Sequence, residues 1–245
     1  MDLKEVDNSI ARRHPWETAR LRAISTILSP FLFNGIEILD VGCGDGFIAR
    51  GLFKHLQAKK ITAVDIHLSD DQLQEFNQVS NEITYSREIP DNVEFDLVLL
   101  LDVLEHIKDD AGFLAGIVKN QLQKRGRILI TVPAFQSISG QHDINLVHYR
   151  RYRLQKLEHL AKSAELGIIS SGYLFASLLL PKYILCSVLK IDRYSEGVGQ
   201  WTGGRFLTGM LESLLNLDNR LLLSLSRFGI RIPGLTGWVL CEKQE

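Results

Sequence analysis

The chain has 245 residues, 45% hydrophobic and 23% charged, with 28 basic against 29 acidic side chains and a net charge of −1. That length makes one elaborated domain or two small ones, and the hydrophobic share excludes a disordered chain. The balanced charge argues against a general nucleic-acid binder, which carries a basic surplus.

In chain order, residues 16–33 place Trp16, Ala19, Leu21, Ile24, Ile27 and Leu28 at helical spacing, with Pro15 suited to the first turn and Pro30 to the exit. Ile36 to Val41 predicts a short strand that stops at Gly42, Phe47 to Leu56 a helix, and Ile61 to Val64 a second strand. Ser69 and Gln72 form a capping-box pattern that opens another helix. Glu82 to Ser86 and Phe95 to Leu101 read as strands, Asp109 to Leu122 as a helix, and Arg127 to Val132 as a buried strand ended by Pro133. Residues 134–151 form a polar, aromatic loop, longer than a strand–helix connection needs. Leu154 to Glu165 then reads as a helix, Gly167 to Leu174 as a strand, and Gly237 to Cys241 as the last strand. Apolar strands alternating with helices imply a doubly wound, mostly parallel α/β sheet covered on both faces.

Two leucine-rich stretches interrupt this pattern. Residues 172–191 approach transmembrane length, but Pro181 and Lys182 in the middle argue against a span. Residues 205–228 predict an amphipathic helix with Leu207, Met210, Leu211, Leu214, Leu215, Leu221, Leu222 and Leu225 on one side and Glu212, Asn216, Asn219 and Arg220 opposite. Packing on the chain's own core is the expectation, with a lid over an apolar substrate, a homodimer face and a peripheral membrane contact as the alternatives. The three cysteines, Cys43, Cys186 and Cys241, form no C-x-x-C, and the segment MDLKEVDNSIARRHPWE has no apolar run, so a cytoplasmic protein with reduced thiols is expected.

The segment Asp40-Val41-Gly42-Cys43-Gly44-Asp45-Gly46 lies between a predicted strand and a predicted helix. Glycines there permit positive φ and let backbone amides approach a ligand at the helix N-terminus. Asp65 ends the next strand, where a carboxylate accepts hydrogen bonds from both hydroxyls of a ribose. Together they describe a pocket for an adenosine-type cofactor at the carboxyl ends of the strands. The spacing is G-x-G-x-G, not the G-x-G-x-x-G of a dinucleotide site, which disfavours an NAD-dependent oxidoreductase.

Ile38 to Gly46 resembles motif I of the class I S-adenosylmethionine-dependent methyltransferases. Phe95 to Val98 running into Asp102-Val103-Leu104-Glu105-His106 resembles their fourth-strand motif, and Gly126 to Pro133 their fifth. The resemblance covers residues 34–135 and implies a Rossmann-like sheet of seven strands with a helical C-terminal elaboration. The expected organisation is an N-terminal helical segment (1–33), a cofactor-binding core (34–174), a helical insertion (175–235) and a last core strand (236–245). The resemblance further implies that Asp40 and the backbone of Gly42, Cys43 and Gly44 hold the methionine part of S-adenosylmethionine. Asp65 would take the ribose, Ile66 would pack on the adenine, and Leu101 and Asp102 would line the pocket. Many relatives carry Gly-Asp after the third strand to read the adenine amino group; this chain has Tyr85-Ser86-Arg87-Glu88-Ile89-Pro90 instead.

Methyl transfer from a sulfonium depends mainly on positioning, and a hydroxyl or amine acceptor must also lose a proton to a base. After the fifth strand come Gln141-His142-Asp143 and His148-Tyr149-Arg150-Arg151-Tyr152, a stretch that resembles a subgroup of bacterial methyltransferases associated with cell-surface glycan or lipid pathways. His142 is the candidate base, oriented by Asp143, while His148, Arg150, Arg151 and Tyr152 are candidates for the acceptor, the arginines as forks for a phosphate or carboxylate. Asp102-x-x-Glu105-His106 resembles the E-x-x-E-H magnesium site of ubiquinone-biosynthesis O-methyltransferases. The same segment occurs in metal-independent relatives, and no metal is expected. Neither the N/D-P-P-Y tetrad nor the Pro-Cys nucleophile of DNA methyltransferases is present, so DNA is not an expected substrate. The expectation is an S-adenosylmethionine-dependent methyltransferase acting on oxygen or nitrogen of a small-molecule or lipid-linked glycan acceptor. A catalytically silent scaffold on the same fold is the alternative from another class.

Overall fold

The computed structural model describes residues 13–56, 60–79, 82–185 and 201–244, without the side chains of 53–56 and His142. The chain begins with α1 (Pro15–Leu28), then alternates β1 (Glu37–Val41), α2 (Phe47–Leu56), β2 (Lys60–Val64), α3 (Asp70–Val79) and β3 (Ile83–Ser86). It continues with β4 (Phe95–Leu101), α4 (Asp110–Asn120), β5 (Leu122–Pro133), α5 (Gln141–Asn145), α6 (Leu154–Ser163) and β6 (Leu166–Leu174). Two helices, α7 (Ala176–Tyr183) and α8 (Arg205–Ser226), precede the last strand, β7 (Thr236–Lys243).

The seven strands form one sheet in the order β3-β2-β1-β4-β5-β7-β6. Strands β1 to β5 pair in parallel, and β7 is inserted antiparallel to both β5 and β6. Alternate residues of each central strand feed two cores. Ile38, Leu97, Leu99 and Leu129 pack with α1, α2 and α8, while Leu39, Val98, Leu100 and Ile130 pack with α4 and α6. Both faces are therefore covered, which is why β4 reads as unbroken hydrophobic sequence. From β1 the chain winds outward through β2 and β3, then returns to lay β4 on the other side of β1. That reversal leaves a crevice at the carboxyl ends of β1 and β4, the position where open α/β sheets bind ligands.

Local signals account for most boundaries. The capping box is formed, with the Gln72 amide donating to Ser69 Oγ at 3.2 Å and the Ser69 amide to Gln72 Oε1 at 2.9 Å. α4 stops two residues earlier than its pattern suggests, because β5 starts at Leu122. Phe95 pairs with Leu122 before Leu97 pairs with Arg127, and the intervening bulge carries Arg125 at φ 60°.

The predicted face of α8 is corrected. Leu215, Leu222 and Leu223 are buried, but Leu207, Met210, Leu214 and Leu221 are 42–56% exposed. Asn219, expected on the polar side, is 2% exposed and accepts a hydrogen bond from the Phe175 amide at 3.0 Å. The helix turns inward the amide that satisfies a backbone donor where β6 ends, and several leucines face out as a result. No described helix is long and apolar enough to cross a membrane. Residues 186–200, which include Cys186 and the end of the first leucine-rich stretch, lie outside the described residues.

Candidate active site

The loop after β1 takes left-handed backbone at Gly42, Gly44 and Gly46, with φ of 73°, 55° and 72°. A side chain at Gly42 would meet Val103 Cγ2 at 2.6 Å, so the loops that follow β1 and β4 nearly touch there. The Gly42 and Cys43 amides donate to the Val64 carbonyl at 2.7 and 3.0 Å, tying the loop to the end of β2. Asp65 is clamped beside it: its two carboxylate oxygens accept from the Gly44 and His67 amides, each at 2.9 Å. Each carboxylate oxygen has a second lone pair, so a preorganised acceptor faces the loop. Next to it stands Ile66, 73% exposed.

Asp40, the last residue but one of β1, is 1% exposed, and its Oδ2 has no hydrogen-bond partner. Burial pushes its carboxyl up to about 7, against the pull of the Arg20 cation. A buried carboxyl with an orphan oxygen calls for a donor that the chain does not supply. Cys43 is no nucleophile: burial first, then the Asp40 and Asp65 carboxylates, push its thiol far up.

Arg20 is the site residue that sequence reading missed. It lies on α1 at 5% exposure and reaches Asp102 Oδ2 at 2.8 Å and Thr131 Oγ1 at 3.3 Å. Thr131 in turn donates to Asp102 Oδ1 at 2.9 Å. Asp102 sits just past β4 in left-handed backbone, φ 59°, a conformation uncommon for non-glycine residues but tolerated best by Asp and Asn. The Arg20 Nε is buried without a partner. A signal existed in the sequence: Arg20 stands between Trp16 and Ile24 on the apolar stripe of α1, an expensive place for a cation without a task.

Beyond Asp102 a short 3-10 turn, Leu104–His106, carries Glu105 and His106. Glu105 is fully buried with both carboxylate oxygens unpartnered; burial first, then the Asp102 charge, push its carboxyl well above the usual range. The loop after β5 crosses here, with the Tyr149 amide donating to the Glu105 carbonyl at 2.8 Å.

The structure redistributes the acceptor candidates. Asp143 is buried and binds Arg151 through both oxygens, at 2.7 and 3.0 Å, and His148 Nδ1 at 2.8 Å. Burial alone would raise the Asp143 carboxyl, but the hydrogen bonds from His148 and Arg151 outweigh it and hold it well below the usual range. Arg151 also donates to the Ala134 carbonyl at 3.2 Å, so its fork is engaged inside the chain, not presented to an acceptor anion. Arg150 is likewise corrected: it pairs with Asp110 at 2.7 Å and donates to the Lys108 carbonyl. Tyr152 is 1% exposed, its hydroxyl donating to Asp110 Oδ2 at 2.7 Å, which makes it a core residue. Leu101 is buried in the core beneath the crevice. The side chain of His142, in α5, lies outside the described residues.

A reversed-order seven-stranded sheet, a left-handed glycine loop at its switch point and a carboxylate closing β2 define a class I S-adenosylmethionine-dependent methyltransferase. Residues 12–170 match the family model described as "Methyltransferase domain", and the chain belongs to that family. It is similar to the ubiquinone biosynthesis O-methyltransferase of Rickettsia bellii, 32% identical over 105 residues, which cover 40% of this chain and 43% of that protein. The chain thus matches less than half the length of these curated relatives. Among solved structures, it is similar to phosphoethanolamine N-methyltransferase 2 of Haemonchus contortus in complex with S-adenosyl-L-methionine, with TM-score 0.58, 18% identity, and coverage of 91% of this chain and 52% of that one. The [4+2]-cyclase SpnF superposes with TM-score 0.57 at 16% identity, covering 98% and 85%. An Archaeoglobus fulgidus SAM-dependent methyltransferase gives 0.52 at 16%, covering 93% and 97%. At these identities the structural likeness establishes the fold alone.

Proposed function

We propose that the chain moves a methyl group from S-adenosylmethionine to an oxygen or nitrogen of a small-molecule acceptor bound over the ends of β4 and β5. The observation that carries this reading is the set of buried Asp40 and Arg20 with half-buried Asp65 around the glycine loop, where an orphan carboxylate oxygen and an orphan guanidinium nitrogen await partners. An amino acid joined to a nucleoside has the matching groups. Asp65 takes the ribose hydroxyls, Ile66 the adenine face and Asp40 the α-amino group. Arg20 and the Gly42, Cys43 and Gly44 backbone hold the methionine end, with Leu101 and Asp102 forming the floor. When bound, S-adenosylmethionine supplies an electrophilic methyl on a sulfonium. The chain contributes position, a dry crevice under α1, and acceptance of the acceptor's proton.

A lipid-linked acceptor is the finer reading within this class. It is supported by the outward-facing row Met210, Leu214, Leu217 and Leu221 on α8. The test is calorimetric titration with S-adenosylmethionine and S-adenosylhomocysteine, followed by transfer of labelled methyl into water-soluble and lipid extracts. Micromolar binding abolished by Asp65→Ala, with label appearing in one extract, supports the function. Folded wild-type protein that binds neither ligand refutes it, and a fold shared with a cyclase makes that control essential.

A further inference from the structure

The loop after β5 and the first turn of α6 enclose a cavity of about 190 Å³, lined among others by Phe135, Gln136, Arg151, Arg153 and Lys156. We propose that this cavity holds a phosphoryl group carried by the methyl acceptor, which makes the substrate a phosphate ester. The proposal rests on the methyl-transfer reading above.

Charge is the first argument. The Arg151 cation is cancelled by Asp143, which accepts from both arms of its fork. The neighbouring acids are engaged as well, Asp110 by Arg150 and Tyr152, and Glu158 by Arg231 and Ser171. Arg153 has no side-chain hydrogen bond or ion pair among the described residues. Lys156 has no ion pair there either, and its ammonium lies over the Tyr152 ring, 5.5 Å from the centroid. Two uncancelled cations match a dianion, and a phosphate monoester carries about −1.5 to −2 at neutral pH. A carboxylate would leave one of them unanswered.

The second argument is where those cations stand. Arg153 is the N-cap of α6 and Lys156 lies in its first turn, which holds no acid and is capped by no side chain. The amino end of a helix carries a partial positive charge and favours acids, so cations there cost stability in the ligand-free chain. An anion in the cavity relieves that repulsion, and a local choice that works against the helix is expected at a functional site.

Location is the third. Ala134, just past β5, forms a bridge with Tyr152, so α6 starts at the carboxyl edge of the sheet, the edge that carries the crevice. The cavity wall also leads inward. Asp143 joins Arg151 to His148, whose ring meets His106 at 4.6 Å on the turn that follows Asp102.

The test uses the full chain and inorganic pyrophosphate, with chloride at matched ionic strength as the control. Pyrophosphate is expected to shift the ¹⁵N signals of Gln136, Arg153 and Lys156 saturably. Arg153→Gln with Lys156→Gln is expected to weaken that binding about tenfold or more and to hold S-adenosylhomocysteine within about threefold. The same variant is expected to melt at or above the wild-type temperature. Shifts that grow linearly and spread over other surface cations are screening alone and overturn the proposal. Undiminished binding by the variant overturns it too, and so does a lower melting temperature, which identifies a structural role. In a second arm, labelled methyl is transferred from S-adenosylmethionine into water-soluble and lipid extracts. The labelled product is expected to release phosphate on acid hydrolysis, and the extract that yields it separates a soluble phosphate ester from a lipid-linked one. A labelled product without phosphorus overturns the proposal and leaves methyl transfer standing. Folded wild type that neither binds S-adenosylhomocysteine nor transfers label removes the methyl-transfer reading, and the acceptor assignment falls with it.

Discussion

Asp40 is about half protonated at pH 7 in the ligand-free chain and mostly protonated at pH 6, because burial pushes its carboxyl up to about 7 from 3.8. A ligand ammonium beside it pairs with the ionised form, so binding at lower pH must first expel that proton. The apparent association constant then scales as 1/(1 + 10^(pKa − pH)). With a value of about 7, S-adenosylhomocysteine binds about 25-fold more weakly at pH 5.5 than at pH 7.5, or about 2 kcal/mol. The sign for folding is opposite to that of a paired carboxylate. The unfolded chain loses this proton first as pH rises from about 4 toward 7, so Asp40 subtracts stability across that window and the loss persists above it. Calorimetry at pH 6 in two buffers of different ionisation enthalpy is expected to show release of close to one proton, and almost none at pH 8. Asp40→Asn keeps the neutral shape: affinity becomes flat with pH and lies below the wild-type value at pH 7.5, and the ligand-free variant melts higher than wild type at pH 8. A wild-type affinity that does not change between pH 5.5 and 7.5, with no proton released, refutes the assignment of Asp40 to the ligand's amino group.

Arg20→Met is expected to weaken S-adenosylhomocysteine about 30-fold, the scale of one lost charge-assisted contact. It should leave 5′-methylthioadenosine, which lacks the amino-acid end, within threefold; parallel titrations decide it. Gly42→Ala puts a Cβ at 2.6 Å from Val103 Cγ2 in left-handed backbone, φ 73°, so thermal unfolding should show a loss of about 1–3 kcal/mol together with weaker ligand binding. Asp143→Asn strands the buried Arg151 charge, costing about 3 kcal/mol at pH 7 by denaturant titration. Because the Asp143 carboxyl is held below its ordinary range, that difference is present above about pH 4 and shrinks as pH falls further toward the folded value.

The glycine loop and Asp65 were legible in the sequence because their geometry is local. A strand, a tight turn and a helix start lie within a dozen residues, and the acid ends the neighbouring strand in register, Val41 against Val64. The doubly wound, mostly parallel class of the sheet was legible for a similar reason, since unbroken apolar strands alternating with helices admit few packings. Arg20 belongs to another kind of residue. Its role exists only where α1 meets the ends of β4 and β5, and no short spacing encodes a contact between residues 20, 102 and 131. α8 shows the same limit from the other side. Counting leucines places Asn219 outward, yet the unpaired Phe175 amide left where β6 stops draws that amide inward at 3.0 Å. The loop after β5 joins the two lessons. Its composition pointed to Asp143, and the partners the structure describes for that carboxylate, His148 and Arg151, lie five and eight residues further on. Only when the chain curls back behind α5 does His148 arrive at Asp143. Polar pairs that close through such a return have no period to betray them. They emerge when each buried donor and acceptor is followed to its partner, and at Asp40 Oδ2 and Arg20 Nε that search ends without a partner among the described residues.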